Sequence, residues 1–496
     1  MSSFKSYGKV DEHEQMVLEA RRKTRKRITI VGLSSIVLAG VVFAAVFGIV
    51  STTGDTSQGA NDVHSVNNSL KAVCDVTLYK DSCYSSLGSV VESGQVRPEE
   101  LFMLSMRVAL SQVSKAAEYF GDHDHEVFKG LTDSRTKEAL KNCRELLGLA
   151  LDHLNSSLSS GENSSLLDVF EDLQTWLSAA GTYQHTCIEG FENENKALKA
   201  TVVSYLKNST QFTSNSLAII TWIHKAATTL NLRRLLSSPH QNEAPEWLHS
   251  KERKLFLTED LKKKADIVVA KDGSGKYKKI SDALKHVPNM SHKRTVIYVK
   301  RGIYYENVRL EKTKWNVMII GDGMTSTIVS GSRNFVDGTP TFSTATFAVF
   351  GRNFIARDMG FRNTAGPLKH QAVALMTSAD QAVYYRCHID AYQDTLYAHS
   401  NRQFYRECNI YVYMRSRLES FVNPSGWLPW TGNSAPDTIF YAEFQNVGPG
   451  ASTKNRVKWK GLRTITSKQA TKFTIKDFLQ GDRWISASGA PFKSDL

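Results

Sequence analysis

Two glutamines and one aspartate in the second half of the chain have side chains suited to acid–base chemistry and to the stabilisation of an oxyanion. Gln371 and Gln393 stand beside short runs that are predicted strands, and their amides are able to donate hydrogen bonds to an oxyanion. Asp394 lies between Tyr392 and Tyr397, where burial would favour the protonated carboxyl that a general acid requires. The structural alternative is a set of polar residues that cap turns, and for any one of them alone that alternative is favoured.

The elements that would position these residues are short β-branched and aromatic runs broken by Gly, Asn and Asp. The runs are Ile267 to Ala270, Thr295 to Lys300, Val317 to Ile320, Phe347 to Phe350 and Ala372 to Met376. Such runs without intervening helices predict an all-β domain. A faint repeat indicates a solenoid, since Arg386 to Ile389 matches Glu407 to Ile410 at an offset of 21 and Asp358 to Phe361 echoes both at a further 28. The prediction is a parallel β-helix in which Cys387 and Cys408 stack in adjacent coils, as buried thiols or as a disulfide.

Further upstream, apolar residues recur at intervals of three and four and predict amphipathic helices. One helix begins at Pro98, with acidic residues following in its first turn. Others are indicated by Leu140 to Leu154, Leu166 to Cys187 and Leu198 to Ile223. Because these helices are joined by short polar loops, the expected fold of this region is an antiparallel four-helix bundle.

The six cysteines fit an oxidising compartment, and none has the paired spacing of a zinc site. For the first four, the prediction is two disulfides, Cys74 with Cys83 and Cys143 with Cys187, although the sequence alone allows three pairings. Five Asn-x-Ser/Thr tripeptides suit a glycoprotein that enters the secretory lumen, at Asn67, Asn155, Asn163, Asn208 and Asn289.

An uncharged stretch of 23 residues, Ile28 to Val50, is long enough to cross a bilayer core of about 30 Å. Six basic residues in the seven before it predict a cytoplasmic N-terminus and translocation of residues 51–496. We therefore expect a transmembrane signal anchor at 28–50 that makes the membrane a partner of this chain. A cleavable signal peptide is the competing interpretation, but its apolar region should be about 7 to 15 residues.

The remaining boundaries follow from composition. We expect a basic tail at 1–27, a linker at 51–69, the helical bundle at 70–230, a charged linker at 231–264 and the β domain at 265–496. Residues 261–496 hold 35 Lys and Arg against 18 Asp and Glu, a net charge of +17 in a chain whose total is +13. This C-terminal part of the chain would seek an anionic partner. Outside the cell, an acidic polysaccharide or a membrane surface is favoured over nucleic acid.

Several longer strings together resemble the plant pectin methylesterases that carry an N-terminal inhibitor-type pro-domain. In the helical region the resemblance includes Thr182 to Cys187. In the β domain it includes Ala265 to Gly275, Gly302 to Glu306, His370 to Leu375, Tyr392 to Leu396, Phe421 to Trp427 and Gly481 to Trp484. The resemblance covers nearly the whole chain beyond residue 70.

The resemblance implies a right-handed parallel β-helix that demethylates homogalacturonan, the polymer of pectin, in cell-wall modification and pectin breakdown. It implies no metal and no cofactor. One Asp attacks the ester carbonyl, a second acts as acid and then base, and glutamine amides hold the oxyanion. By motif, Asp394 is the acid and base, Gln393 stabilises the transition state, and Gln371 and Thr346 contact the substrate.

The pro-domain resemblance also implies processing. The string Arg233-Arg234-Leu235-Leu236 matches the motif that a protease of the secretory pathway cuts between the two parts of such proteins. Cleavage there would leave the inhibitor-like part at the secretory membrane and release the basic β domain to the cell wall.

The sequence departs from the family after Tyr411. The family continues into Asp-Phe-Ile-Phe-Gly, which holds the nucleophile, and later reaches Leu-Gly-Arg-Pro-Trp, which holds an arginine that orients it. Neither string occurs in this chain, and Tyr411 runs straight into Val412-Tyr413-Met414. Three hypotheses follow: a pectinesterase in which another carboxylate fills the lost position, a catalytically inactive pectin-binding solenoid, or a bundle that inhibits esterases in trans.

Overall fold

The computed structural model describes residues 69–88, 96–121, 131, 133–191, 196–231, 260–406, 408, 423–427, 441–474, 476 and 485. All of them belong to the compact unit that spans residues 65–496.

The N-terminal half of this unit is helical. Its helices are α1 (Lys80–Gly88), α2 (Pro98–Gly121), α3 (Ser134–Asn163), α4 (Phe170–Glu189) and α5 (Lys196–Asn231). Helix α2 begins at proline with two glutamates in its first turn, and Asp133 caps α3 by accepting the Thr136 amide N–H at 2.7 Å. The helix predicted to run from Leu166 to Cys187 corresponds to α4, and its predicted start is wrong. Leu166 and Val169 lie in the turn and at the cap before α4 rather than on its face.

The long helices α2 to α5 pack their apolar faces into one core that includes Phe102, Phe120 and Tyr183, all fully buried. The two predicted disulfides are confirmed: one joins Cys74 to Cys83 and the other joins Cys143 to Cys187. The second links α3 to α4 inside this core.

The C-terminal half consists mainly of short strands. Two short helices, α6 (Asp260–Lys263) and α7 (Ile280–Lys285), lie in its first part, and α8 (Ser467–Thr471) lies near its end. The strands are β1 (Ile267–Val269), β2 (Thr295–Val299), β3 (Gly302–Tyr305), β4 (Val308–Leu310), β5 (Val317–Ile320), β6 (Thr327–Gly331), β7 (Phe347–Val349), β8 (Ile355–Arg357), β9 (Gly360–Asn363), β10 (Leu375–Thr377), β11 (Ala382–Tyr385), β12 (His388–Asp390), β13 (Leu396–Ala398), β14 (Gln403–Arg406), β15 (Tyr441–Glu443) and β16 (Leu462–Thr464).

These strands stack into three long parallel sheets, as in a parallel β-helix. One has the order β1-β2-β5-β8-β11-β14, the second β12-β9-β6-β3, and the third, which we call the bundle-facing sheet, β13-β10-β7-β4. Four successive coils, which run from β2 to β13, each contribute one strand to each of these sheets, and β1 and β14 extend the first sheet alone. The enclosed core contains Phe347, Phe354 and Phe361. Strands β15 and β16 form a separate parallel pair.

The repeat in the sequence gives the observed register. Tyr385 of β11 pairs with Arg406 of β14, an offset of 21, and with Arg357 of β8, an offset of 28. Cys387 and Cys408 therefore stack in adjacent coils as predicted, both as thiols, and the Cys387 amide N–H donates to the Cys408 sulfur at 3.4 Å.

One part of the predicted fold class is corrected. Within the described ranges, no helix is long and apolar enough to cross a membrane. The long helix α2, for example, is amphipathic, because charged residues such as Arg107 and Lys115 interrupt its apolar positions. The stretch Ile28 to Val50, on which the membrane helix was predicted, lies outside the described residues.

Candidate functional site

The fold brings the two predicted glutamines together at one end of the bundle-facing sheet. Gln371 and Gln393 form a parallel bridge just before β10 and β13, and the Ala372 amide N–H donates to the Gln393 carbonyl at 3.1 Å. On the other side, the Phe335 amide N–H donates to the Gln371 carbonyl at 2.9 Å. Stacking of successive coils thus places side-chain amides 22 positions apart beside each other.

Thr346 lies in the next coil, immediately before β7. Its amide N–H donates to the Val373 carbonyl at 3.0 Å, and the residue is fully buried. Among the described residues, neither Thr346 Oγ1 nor Gln371 Oε1 has a hydrogen-bond partner. Buried polar atoms of this kind are costly unless paired, so two unpaired ones on neighbouring coils suit a surface that receives hydrogen bonds from a ligand.

Asp394 follows Gln393 with a left-handed backbone, φ 59°, a conformation that is disfavoured for residues other than glycine and is common at functional sites. Asp394 is exposed to solvent, and so is Tyr392, which was predicted to help bury it. Partial desolvation by the surrounding protein still raises the pKa of the Asp394 carboxyl. This direction favours the protonated form that was predicted for an acid.

The strand predicted for Ala372 to Met376 begins later, at Leu375. The reason is local, because the Val373 amide N–H donates to the hydroxyl of Thr344 at 3.1 Å instead of to a neighbouring strand. The segment between Gln371 and β10 is thereby held as a bend beside the paired glutamines.

The helical bundle covers the outer face of the bundle-facing sheet. A row of residues runs across this face in register, from Arg309 through Ala348 and Met376 to Tyr397. The last three belong to or pack against the same apolar cluster as the bundle core, and Arg309 forms an ion pair with Glu145 of α3. This contact between the two halves was not predicted from the sequence.

A buried polar network joins α4 to the turn after β13. His399 is 8% exposed, and its imidazole makes hydrogen bonds with Thr186 Oγ1 at 2.9 Å and Ser378 Oγ at 3.0 Å. The Ser400 hydroxyl donates to the Tyr183 hydroxyl at 3.0 Å. Desolvation lowers the pKa of His399 to about 4, so the imidazole is neutral in the folded protein near pH 6.

Acid should therefore weaken the fold through His399. Its folded pKa lies below the unfolded value of about 6.5, so the unfolded chain binds more protons between these two values and stability falls as the pH decreases from about 6.5 to about 4. Tyr183 and Tyr397, whose rings lie 5.5 Å and 5.0 Å from the imidazole, stay neutral throughout this range because desolvation raises their pKa values. Over this pH range, we expect the unfolding free energy of His399→Gln to fall by about 1–3 kcal/mol less than that of the parent protein.

Chemical denaturation at a series of pH values measures this effect. The exposed His292 provides the matched control, and His292→Gln should keep the parental dependence on pH. If the unfolding free energy depended on pH in the same way in the parent and in His399→Gln, the pKa of His399 would not change on folding.

A second buried contact lies close to this network. Arg402, 11% exposed, forms ion pairs with Asp172 of α4 at 2.7 Å and with Asp380 at 2.5 Å. His153 of α3 contacts Asn401 at 3.0 Å. No signal in the sequence indicates the contact of Arg402 with Asp172 or that of His153 with Asn401, because the partners are more than 200 positions apart and no periodic pattern connects them.

The predicted processing site and the point where the sequence departs from the family both fall outside the described ranges. Tyr411 to Met414 and the processing string Arg233-Arg234-Leu235-Leu236 lie outside the described residues. The described part of the site thus contains Asp394, predicted to be the acid, together with Gln371, Gln393 and Thr346, all supplied by coils that precede Tyr411.

Two family models match this chain, one in its helical half and one in its β half. The family model described as "Plant invertase/pectin methylesterase inhibitor" matches residues 68–219, and the model described as "Pectinesterase" matches residues 266–412 and 411–482. The second match is therefore broken where the nucleophile string was expected.

Relatives match along almost their full length. The chain is 46% identical to "Putative pectinesterase/pectinesterase inhibitor 24" of Arabidopsis thaliana over 570 positions, which cover 99% of each chain. It is 40% identical to "Pectinesterase 3" of Phaseolus vulgaris over 593 positions, which cover 100% of each chain. Among solved structures, "Pectin methylesterase from Carrot" is 37% identical and aligns with 47% of this chain and 98% of its own, with a TM-score of 0.42.

The lengths of these alignments exceed the length of the chain. An alignment over 570 positions with a chain of 496 residues leaves at least 74 positions of the Arabidopsis alignment without a counterpart here. Together with the broken family match, this length difference fits the loss of several consecutive coils. With family matches in both halves and relatives aligned from end to end, the chain belongs to the pectinesterase family, and its helical half is a pectin methylesterase inhibitor domain.

Proposed function

We propose that this chain is a pectinesterase-family protein that binds methyl-esterified homogalacturonan but hydrolyses its esters negligibly. The observation that carries the proposal is the break in the family match at residues 411–412, where the nucleophile string is missing. Asp394 alone cannot serve both as the attacking carboxylate and as the acid that protonates the leaving group. The alternative is an active pectinesterase in which another carboxylate replaces the lost one.

The charge of the β domain supports the binding half of the proposal. Residues 261–496, which contain this domain, carry a net charge of +17 that suits a partly demethylated, polyanionic substrate. Exposed basic residues begin in its first coils, among them Lys276, Lys278 and Lys279. Attraction between these side chains and galacturonate carboxylates is expected to weaken as salt rises, because exposed charges are screened.

Co-sedimentation with partly methyl-esterified pectin tests the binding. We expect the full chain to bind at 50 mM salt and to bind less at 500 mM, since the Debye length falls from roughly 14 Å to 4 Å over this range. The triple variant Lys276→Glu/Lys278→Glu/Lys279→Glu should lose most of the binding. A variant with the same change of charge on exposed residues of α5, Lys196→Glu/Lys207→Glu/Lys225→Glu, is the control and should retain it. Equal losses in the two variants would contradict a binding surface on the β domain.

We further propose that the protein passes through the secretory pathway to the cell wall and is cut after Arg233-Arg234-Leu235-Leu236 by a protease of that pathway. Two disulfides in the bundle support an oxidising compartment. N-terminal sequencing of the protein extracted from the wall should begin just after Leu236, and Arg233→Ala/Arg234→Ala should abolish that terminus. Recovery of only the uncut chain would contradict the processing.

A further inference from the structure

A cavity of about 610 Å³ lies between the inhibitor domain and the β-helix. One wall is α3, with Asn142 and Glu145 among its lining residues, and the other is formed by β4 and the segment before β7, including Arg309, Arg333 and Ser343. Neither half of the protein forms this cavity alone. Its volume is within the range of about 300–1,000 Å³ that is usual for small-ligand sites.

The cavity is rich in cations, with five basic side chains in its lining against three carboxylates. Most of these charges are already paired. Arg309 bonds to Glu145 and Glu311, and Lys141 bonds to Glu138 at 3.1 Å. Among the described residues, Arg333 forms no ion pair.

The wall supplied by α3 contains an unpaired amide. Asn142 is 94% buried, since its exposed fraction is 6%, and its Oδ1 accepts the Ser343 hydroxyl at 2.9 Å. Its Nδ2 has no hydrogen-bond partner within the described part of the chain. A buried N–H group without an acceptor destabilises the folded protein. An acceptor atom of a ligand that bonded to Asn142 Nδ2 would remove this destabilisation.

The floor between these polar groups is apolar. Phe342, Ala345 and Ala348 of the β-helix and Leu149 of α3 line the cavity. Aromatic and small aliphatic surfaces of this kind can contact the C–H face of a pyranose ring, while the carboxylate of the sugar meets the cation and the amide. The combination distinguishes a carboxylated sugar from a simple inorganic anion.

We propose that this cavity binds a galacturonate residue of a short, de-esterified pectin fragment, with its carboxylate held by Arg333 of the β-helix and Asn142 of the inhibitor domain. The inference rests on the proposed pectin binding and extends it, because a residue of the inhibitor domain becomes part of the carbohydrate site. A pectin fragment would then bind the uncut chain by contacts with both halves at once.

Isothermal titration of the full chain with a trimer of galacturonate tests the proposal. We expect binding, about tenfold weaker in Arg333→Gln and about tenfold weaker in Asn142→Leu, since each variant removes a hydrogen bond to a charged group. The control is Arg463→Gln, an exposed arginine on β16 outside the cavity lining, which should keep the parental affinity. Circular dichroism should show that all three variants are folded.

The competing ligands separate the possible outcomes. A galactose trimer, which lacks carboxylates, and inorganic phosphate, which lacks a sugar, should each bind at least tenfold more weakly than the galacturonate trimer. Equal affinity for either, or unchanged affinity in both cavity variants, would overturn the proposal. If binding of the trimer depends on Arg333 but pectin polymer does not bind the β domain, the cavity site is supported and the proposed function is rejected. If pectin polymer binds the β domain but binding of the trimer does not depend on Arg333, only the cavity site is rejected.

Discussion

We expect the full chain to release methanol from methyl-esterified pectin on the order of a million-fold more slowly than a pectinesterase with a complete catalytic set. Loss of a nucleophile from catalytic groups that act together reduces turnover by about this factor. The proposed site keeps two glutamines that could stabilise an oxyanion, but the string that holds the attacking carboxylate in the family is missing from the sequence. A coupled assay of methanol release measures the rate.

Asp394→Asn provides the sharpest control for this prediction. In an enzyme with a nucleophile, loss of the acid and base would reduce turnover strongly. In this chain the substitution should leave the residual rate unchanged, since no acylated intermediate is formed for Asp394 to resolve. A parental rate close to that of the family, with a large loss in Asp394→Asn, would instead identify a replacement nucleophile.

The second large effect is expected from Arg402, which lies between two aspartates at the contact of α4 with the β-helix. Arg402→Met leaves the carboxylate of Asp380, itself only 14% exposed, without its cation. Breaking a buried pair in this way destabilises proteins by about 3–5 kcal/mol. Chemical denaturation followed by circular dichroism measures the loss.

Two further variants show whether the effect comes from the unpaired charge. Asp172 is 40% exposed, so Asp172→Asn should cost less than about 1 kcal/mol. The double variant Arg402→Met/Asp380→Leu removes both charges and should recover much of the stability lost in the single variant. A double variant as unstable as Arg402→Met would contradict this explanation.

The pair also has a defined pH dependence. Desolvation acts to raise the pKa of Asp380, but hydrogen bonds and charge from Arg402 outweigh it and hold that pKa below its usual value. The contribution of the pair is therefore present above the unfolded pKa of about 4 and is lost as the pH falls through the lower folded pKa. This window lies below the one expected for His399.

The parallel β-helix could be predicted because its coils repeat in the sequence. The offset of 21 between the two cysteine strings is the register of β11 on β14, and the offset of 28 is that of β8 on β11. Helices α2 and α3 could be predicted because their apolar residues follow the helical period. Gln371 and Gln393 were recognised by motif, and stacking of their coils explains why they meet.

The docking of the inhibitor domain on the bundle-facing sheet could not be predicted. It depends on single residues such as His399 and Arg402, whose partners on α4 lie far away in the sequence. Composition also failed to indicate which polar groups are buried, since Asn142 and Thr186 resemble ordinary polar positions on helices. Their burial is a consequence of the tertiary contact alone.

The most direct test of the central claim is the ester content of pectin recovered from its complex with the full chain. Partly methyl-esterified homogalacturonan should be incubated with the protein at neutral pH and low salt, recovered from the sedimented complex, and measured by nuclear magnetic resonance of the polymer. We predict that pectin is retained and that its degree of methyl esterification is the same as in a sample without protein. A fall in esterification that Asp394→Asn abolishes would contradict the account, because it would show that this chain retains a working catalytic set.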